Sequence, residues 1–84
     1  MDFLHSEVSV GPGQAVVVEL DRTANVMVMD GPNFQRYRRG DARSYYGGYA
    51  SRSPVAVRPP SGRWHVVIDL GGGSGRLSAK VRVQ

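Results

Sequence analysis

Hydrolytic and metal chemistry need histidine, a nucleophile and carboxylates brought together, and this sequence offers few of them. Its two histidines are His5 and His65, and it has no cysteine. A cysteine nucleophile, a thiolate metal site and a disulfide framework are therefore excluded together. His65 reads as a solvent-face residue of a strand. Its nearest downstream acid, Asp69, lies about 13 Å further along at the strand rise, too far for a His–Asp hydrogen bond within one flat strand. No spacing nominates a serine to complete a triad, and two histidines without an acidic cluster make a poor transition-metal site. The run Gly71-Gly72-Gly73-Ser74-Gly75 invites a phosphate-loop reading. It lacks the lysine and Ser/Thr of a P-loop, and a strand pattern follows it where a helix is required. The expectation is a non-catalytic protein with no cofactor and no metal.

The residues that could recognise a ligand are concentrated in one stretch. Residues 30–58 hold Arg36, Arg38, Arg39, Arg43, Arg52 and Arg58 against Asp30 and Asp41, which is the whole net charge of +4. All four tyrosines, Tyr37, Tyr45, Tyr46 and Tyr49, fall in the same stretch. Arginine outnumbers lysine ten to one. Guanidinium groups bind carboxylate and phosphate bidentately and stack on rings. Arg36, Arg39, Arg43, Tyr45, Tyr46 and Tyr49 are thus the candidate binding residues, for an anionic or planar small molecule or a protein partner. The opposing reading is a solvated basic surface with rim tyrosines. An accessory nucleic-acid binder using the same patch is the alternative function. It is disfavoured by the modest charge, the near absence of lysine and the lack of an RNP-type aromatic motif.

These residues must be positioned by a small scaffold. The 84 residues make one domain over 1–84, and a chain this short buries only about 60–65% of the surface its unfolded form exposes. With 40% hydrophobic and 21% charged residues, the composition is that of a globular domain. No apolar run approaches the roughly 18 residues of a membrane helix. The start MDFLHSEVSV has neither a basic n-region nor an apolar h-region, so no signal peptide is expected and the default location is cytoplasmic. Glycine and proline turn signals recur every eight to twelve residues between short valine-rich segments. That spacing predicts an all-β fold, a single antiparallel β-sandwich of seven or eight strands.

Alternation assigns inward faces. Trp64, Val66, Ile68 and Leu70 share one parity, as do Leu77, Ala79, Val81 and Val83. A hairpin through Gly71–Ser74 would place Ile68 against Leu77, Trp64 against Val81, and Asp69 outside against Arg76. A second hairpin is predicted over residues 14–30. In it Val16, Val18 and Leu20 face in with Ala24, Val26 and Val28, joined by Asp21-Arg22-Thr23. Its outer face then carries Val17, Met27 and Met29, an apolar strip that needs a cover. Pro32 to Arg39 supplies one, as a short helix over residues 32–39. Asp30 or Gly31 can cap it, Gly40 can close it, and Phe34 and Tyr37 lie on one side. The alternative cover is a second copy in a homodimer. Residues 3–10, 44–50 and 54–58 complete the strands.

The blocks Asn33-Phe34, Tyr45-Tyr46-Gly47-Gly48, Ser53-Pro54-Val55 and Trp64 with Val66 to Gly72, in this order, resemble a small bacterial family. That family is the domain of unknown function number 1883, whose members stand alone or precede a TIR signalling domain. The resemblance covers nearly the whole chain. It implies a compact β-sandwich in a bacterial, intracellular setting. It carries over no functional residues, because the family has no assigned activity.

Overall fold

The computed structural model describes residues 3–71 and 75–84. It contains β1 (Leu4–Val10), β2 (Val16–Leu20), β3 (Ala24–Met29), α1 (Gly31–Arg39), β4 (Tyr46–Ala50), β5 (Val55–Val57), β6 (Gly62–Asp69) and β7 (Ala79–Val83). The strands form two antiparallel sheets, ordered β1-β6-β3-β4 and β5-β2-β7. The expected all-β sandwich with one short helix is what the chain adopts. Among the described residues no helix is long and apolar enough to cross a membrane.

The inward faces are those that alternation assigns. Val16, Val18, Val26, Val28, Val66 and Ile68 are buried between the sheets, with Trp64, Leu70, Leu77, Ala79, Val81 and Val83 packed around them. Fully burying one such valine or isoleucine contributes about 1.5–3 kcal/mol. Branched side chains fit the pleated surface well, which is why valine dominates these segments.

The strand partners differ from both predicted hairpins. β2 and β3 lie in different sheets, and Asp21–Thr23 carries the chain across the core from one to the other. β6 and β7 are separated in the same way. β6 pairs with β1 and β3, while β7 pairs with β2. Trp64 therefore lies beside Val8, not Val81. The reason is geometric. Two strands that face each other across a sandwich have the same inward parity as two neighbours in one sheet, so alternation fixes faces and leaves partners open. The proposed Gly71–Ser74 turn falls largely on residues 72–74, outside the described residues.

The outer face of the four-stranded sheet carries Met27, Met29, Val67, His5, His65 and Asp69, and α1 covers it. Asp30 caps the helix, accepting from the Asn33 N–H at 3.0 Å through Oδ1. Pro32 sits in the first turn, where its missing N–H has no intrahelical role. Gly40 ends the helix at φ 79°, a left-handed conformation that suits glycine. Arg36, Arg38 and Arg39 in the last turn complement the negative end of the helix dipole. Phe34 and Tyr37 are buried against Met27, Met29 and Val67, with Phe3 packed alongside. The helix is therefore the cover for the methionine strip. Val17 is not part of that strip: it belongs to β2 in the other sheet, between Ala56 and Arg82.

A nine-residue helix is marginal alone in water, so its order depends on this docking. Phe34→Ala should cost about 3–5 kcal/mol, the range for deleting a buried phenylalanine. Hydrogen exchange read residue by residue should show amides 31–39 losing protection before those of β3 and β6. Equal protection of the helix in the variant would contradict the docking account.

Candidate functional site

The helix also organises the polar residues around it. Asp69, expected on the solvent face opposite Arg76, is instead buried beneath α1 at 4% exposure. It accepts hydrogen bonds from the Tyr37 hydroxyl, from Asn25 Nδ2 at 3.0 Å and from the Gly71 N–H at 2.8 Å. Burial alone would raise its pKa. The three hydrogen bonds and the nearby Arg43 guanidinium outweigh that and hold it below the usual 3.8. Burial, followed by the bond to Asp69 and its charge, pushes the Tyr37 phenol above its ordinary range. Arg43, a predicted site residue, lies 4.9 Å from the Tyr37 ring centroid and donates to the Asp41 carbonyl at 3.3 Å. Its buried Nε has no hydrogen-bond partner, so the ring face is its principal compensation.

His65 likewise sits on the helix-covered face rather than in solvent. Its Nδ1 and His5 Nε2 are 2.8 Å apart. The Phe34 ring stacks over both imidazoles, at 4.2 Å from His5 and 4.6 Å from His65. One nitrogen of that pair must donate and the other accept, so the contact requires at least one neutral ring. Desolvation and the neighbouring His65 lower the His5 pKa below the usual 6.5. Glu7 opposes this shift and Arg38 adds to it. Among the described residues no group of three or more metal-ligating side chains converges.

The predicted binding residues separate into four places, of which the Tyr37 ring face holds Arg43. Arg36 and Arg39 lie on the exposed side of α1, Arg36 donating to Asn33 Oδ1 at 3.3 Å and Arg39 paired with Asp41 at 3.0 Å. Tyr49 is 71% exposed and borders a cleft of about 350 Å3 where β4 runs beside β5, next to Gly47, Gly48 and Arg58. Gly47, at φ 107°, passes so close to β3 that a Cβ would stand 2.3 Å from the Val26 carbonyl oxygen. Tyr45 and Tyr46 line a different cleft of about 230 Å3, over Val28 and Met29. Its walls are Asp30 and Asn33 from the start of α1, Ser44 from the loop after it, and Trp64 from β6.

This second cleft joins aromatic and polar groups from four segments. Asn33 Oδ1 accepts from the Ser44 N–H at 2.9 Å, tying the loop to the helix. Asn33 Nδ2 donates to Asp30 Oδ1 at 2.9 Å. Tyr46 meets Trp64 edge to face, with centroids 5.5 Å apart and planes at 89°. The half-buried Trp64 donates its indole N–H to the Pro60 carbonyl at 2.8 Å. Trp64 is thus both a core residue and a wall of the cleft. Sequence reasoning assigned it to the core alone, because strand parity says nothing about which inward residues reach the open end of a sandwich. The helix cap at Asp30, legible in the sequence, is also a wall of the cleft, while nothing local nominates Asn33.

A family model described as Domain of unknown function (DUF1883) matches residues 1–84, the whole chain. The chain belongs to this family. No curated protein and no solved structure matches it. Membership in DUF1883 assigns no activity, ligand or partner to this DUF1883 domain.

The buried groups set the pH response. Asp69 has a native pKa below its unfolded value, so its contribution is complete above about pH 3.8 and is lost as pH falls below it. His5 is also depressed. The unfolded chain therefore binds the extra proton first, and stability falls as pH drops below about 6.5. Denaturant midpoints should be flat near neutrality, decline in mild acid and decline again below pH 4. Tyr37→Phe should cost about 1–3 kcal/mol, the loss expected when a buried acceptor loses its partner, and should make the lower decline smaller, because the native Asp69 pKa rises toward its unfolded value. Identical acid profiles for Tyr37→Phe and the parent would refute the assignment.

Proposed function

We propose that this domain is a non-catalytic binding module whose ligand enters the cleft between the start of α1 and the Tyr45, Tyr46 and Trp64 rings. The observation that carries the reading is the assembly of three aromatic side chains and three polar ones from separate segments around one opening. Concave, largely apolar clefts with a few fixed polar groups are where small molecules bind. Asn33 and the Trp64 N–H are already engaged in structural bonds, so ring faces, the hydroxyls of Ser44, Tyr45 and Tyr46, and one carboxylate oxygen are left for a ligand. Of the anticipated binding residues, Tyr45 and Tyr46 are the two this reading uses. Arg36 stands at the rim through Asn33, while Arg39, Arg43 and Tyr49 lie elsewhere and are not needed.

Thermal shift against a panel of nucleosides, sugars, small anions and ammonium compounds tests this, because a ligand of the folded state raises Tm. Tyr45 is 44% exposed, so Tyr45→Ala should change stability itself by no more than about 0.5 kcal/mol. The expected result is a saturable rise in Tm that Tyr45→Ala abolishes. A rise that persists unchanged in Tyr45→Ala, or one abolished by Tyr49→Ala instead, would move the site away from this cleft.

A further inference from the structure

We propose that the cleft takes a methylated ammonium group, as found in choline or a trimethylated lysine side chain. The inference rests on the ligand-binding reading above and specifies its ligand class.

The ring geometry is the first support. Tyr46 and Trp64 stand at 89° with centroids 5.5 Å apart, so they form a corner and not a flat floor. A sugar ring or a nucleobase is best served by one broad face or two parallel ones. A compact cation with a shell of C–H groups meets two perpendicular faces at once. Ring faces carry the negative end of the aromatic quadrupole, and tryptophan attracts cations best. Tyr45 adds a third ring to the same wall.

Charge is the second support. Asp30 is the one charged residue in the lining. Its described hydrogen bonds use Oδ1, which leaves Oδ2 for a ligand. The positive end of α1 amounts to roughly half a charge, and one carboxylate outweighs it. Arg36 is held on Asn33 and is exposed, where water and salt screen it. An anion entering here would meet Asp30.

Methylation follows from the hydrogen-bond inventory. A bare ammonium presents three donors that each need an acceptor when desolvated. The Asn33 amide oxygen already accepts twice, and five of the eight lining residues are aliphatic or aromatic, so a bare ammonium would have to draw its acceptors from Asp30 and from hydroxyls on separate side chains around the opening. A quaternary nitrogen has no donors and loses nothing on entry. Its charge spreads over methyl groups that fit ring faces.

The test titrates the full chain with choline, N-acetyl-trimethyl-lysine amide and 3,3-dimethylbutan-1-ol, the uncharged carbon isostere of choline. The single tryptophan is Trp64, so its fluorescence reports directly on the cleft. Asp30→Asn keeps a side chain that caps helices equally well while removing the charge. Circular dichroism confirms that the helix persists, and Tyr45→Ala provides a second variant. Saturable binding of choline or the lysine derivative is expected, with the isostere roughly tenfold weaker, a factor within the range of a cation–π contact. Asp30→Asn should weaken the cations by about tenfold and leave the isostere unchanged, while Arg36→Ala leaves cation binding unchanged or tighter. Whichever cation binds more tightly identifies the source of the group. Equal affinity for choline and its isostere, or weakening by Arg36→Ala, would overturn the ammonium assignment. So would failure of both cations beside a thermal-shift hit that needs Tyr45, and that result would leave the binding reading standing. Failure of every ligand in both experiments would remove both.

Discussion

A carboxylate taken out of water must be hydrogen-bonded or neutralised, and Asp69 is the one buried charged residue among those described. The effective penalty for such a group is several kcal/mol. It is met by three donors from three places: Asn25 on β3, Tyr37 on α1 and the backbone just beyond β6. Because the donors come from separate segments, the carboxylate specifies their mutual placement. Apolar contacts alone would let the helix settle in several orientations over Met27, Met29 and Val67. The Tyr37 hydroxyl bond to Asp69 favours the orientation seen here over those.

The shape of the cleft beside the helix follows from that placement. With Tyr37 anchored, Phe34 falls three residues away over the two imidazoles, and the first turn of the helix is directed toward the end of β3. Asn33 then holds Ser44, which fixes where the chain re-enters the sheet and presents Tyr45 and Tyr46 beside Trp64. The cleft is therefore a by-product of the helix cover as much as a feature of the sandwich. Asp30 serves both, as the cap of the helix and as the charge in the opening.

Much of this was legible in the sequence. Strand parity, the helix with its cap and stop, and the cover for Met27 and Met29 all follow from local pattern and turn chemistry. What was not legible shares one cause. Parity is degenerate between neighbours in a sheet and partners across a core, so both hairpins were assigned to strands that in fact face each other. The same degeneracy turned Asp69 outward toward Arg76 and left His65 in solvent. Nothing local in Asp69 distinguishes a surface acid from a buried one. The distinction lies in Asn25 and Tyr37, which are remote in sequence. The arginine- and tyrosine-rich stretch reads as one surface in the sequence, but alternation and the helix turn distribute its side chains over four places.

The crossings between sheets also bear on how long the chain takes to fold. In a hairpin protein the first pairings close loops of a few residues. Here β2 and β3, though separated by only three residues, cannot pair. β6 finds its partners at the far end of the chain in β1 and across α1 and β4 in β3. Each early contact therefore requires closing a long loop before much apolar surface is buried. Such topologies belong to the slow end of small-domain kinetics, in milliseconds to seconds. During that interval the apolar outer face of β3 and β6 awaits a helix too short to persist unaided. In the nascent chain Met27, Met29 and Val67 are thus the segment most dependent on timely docking, and the most exposed to aggregation when docking is delayed.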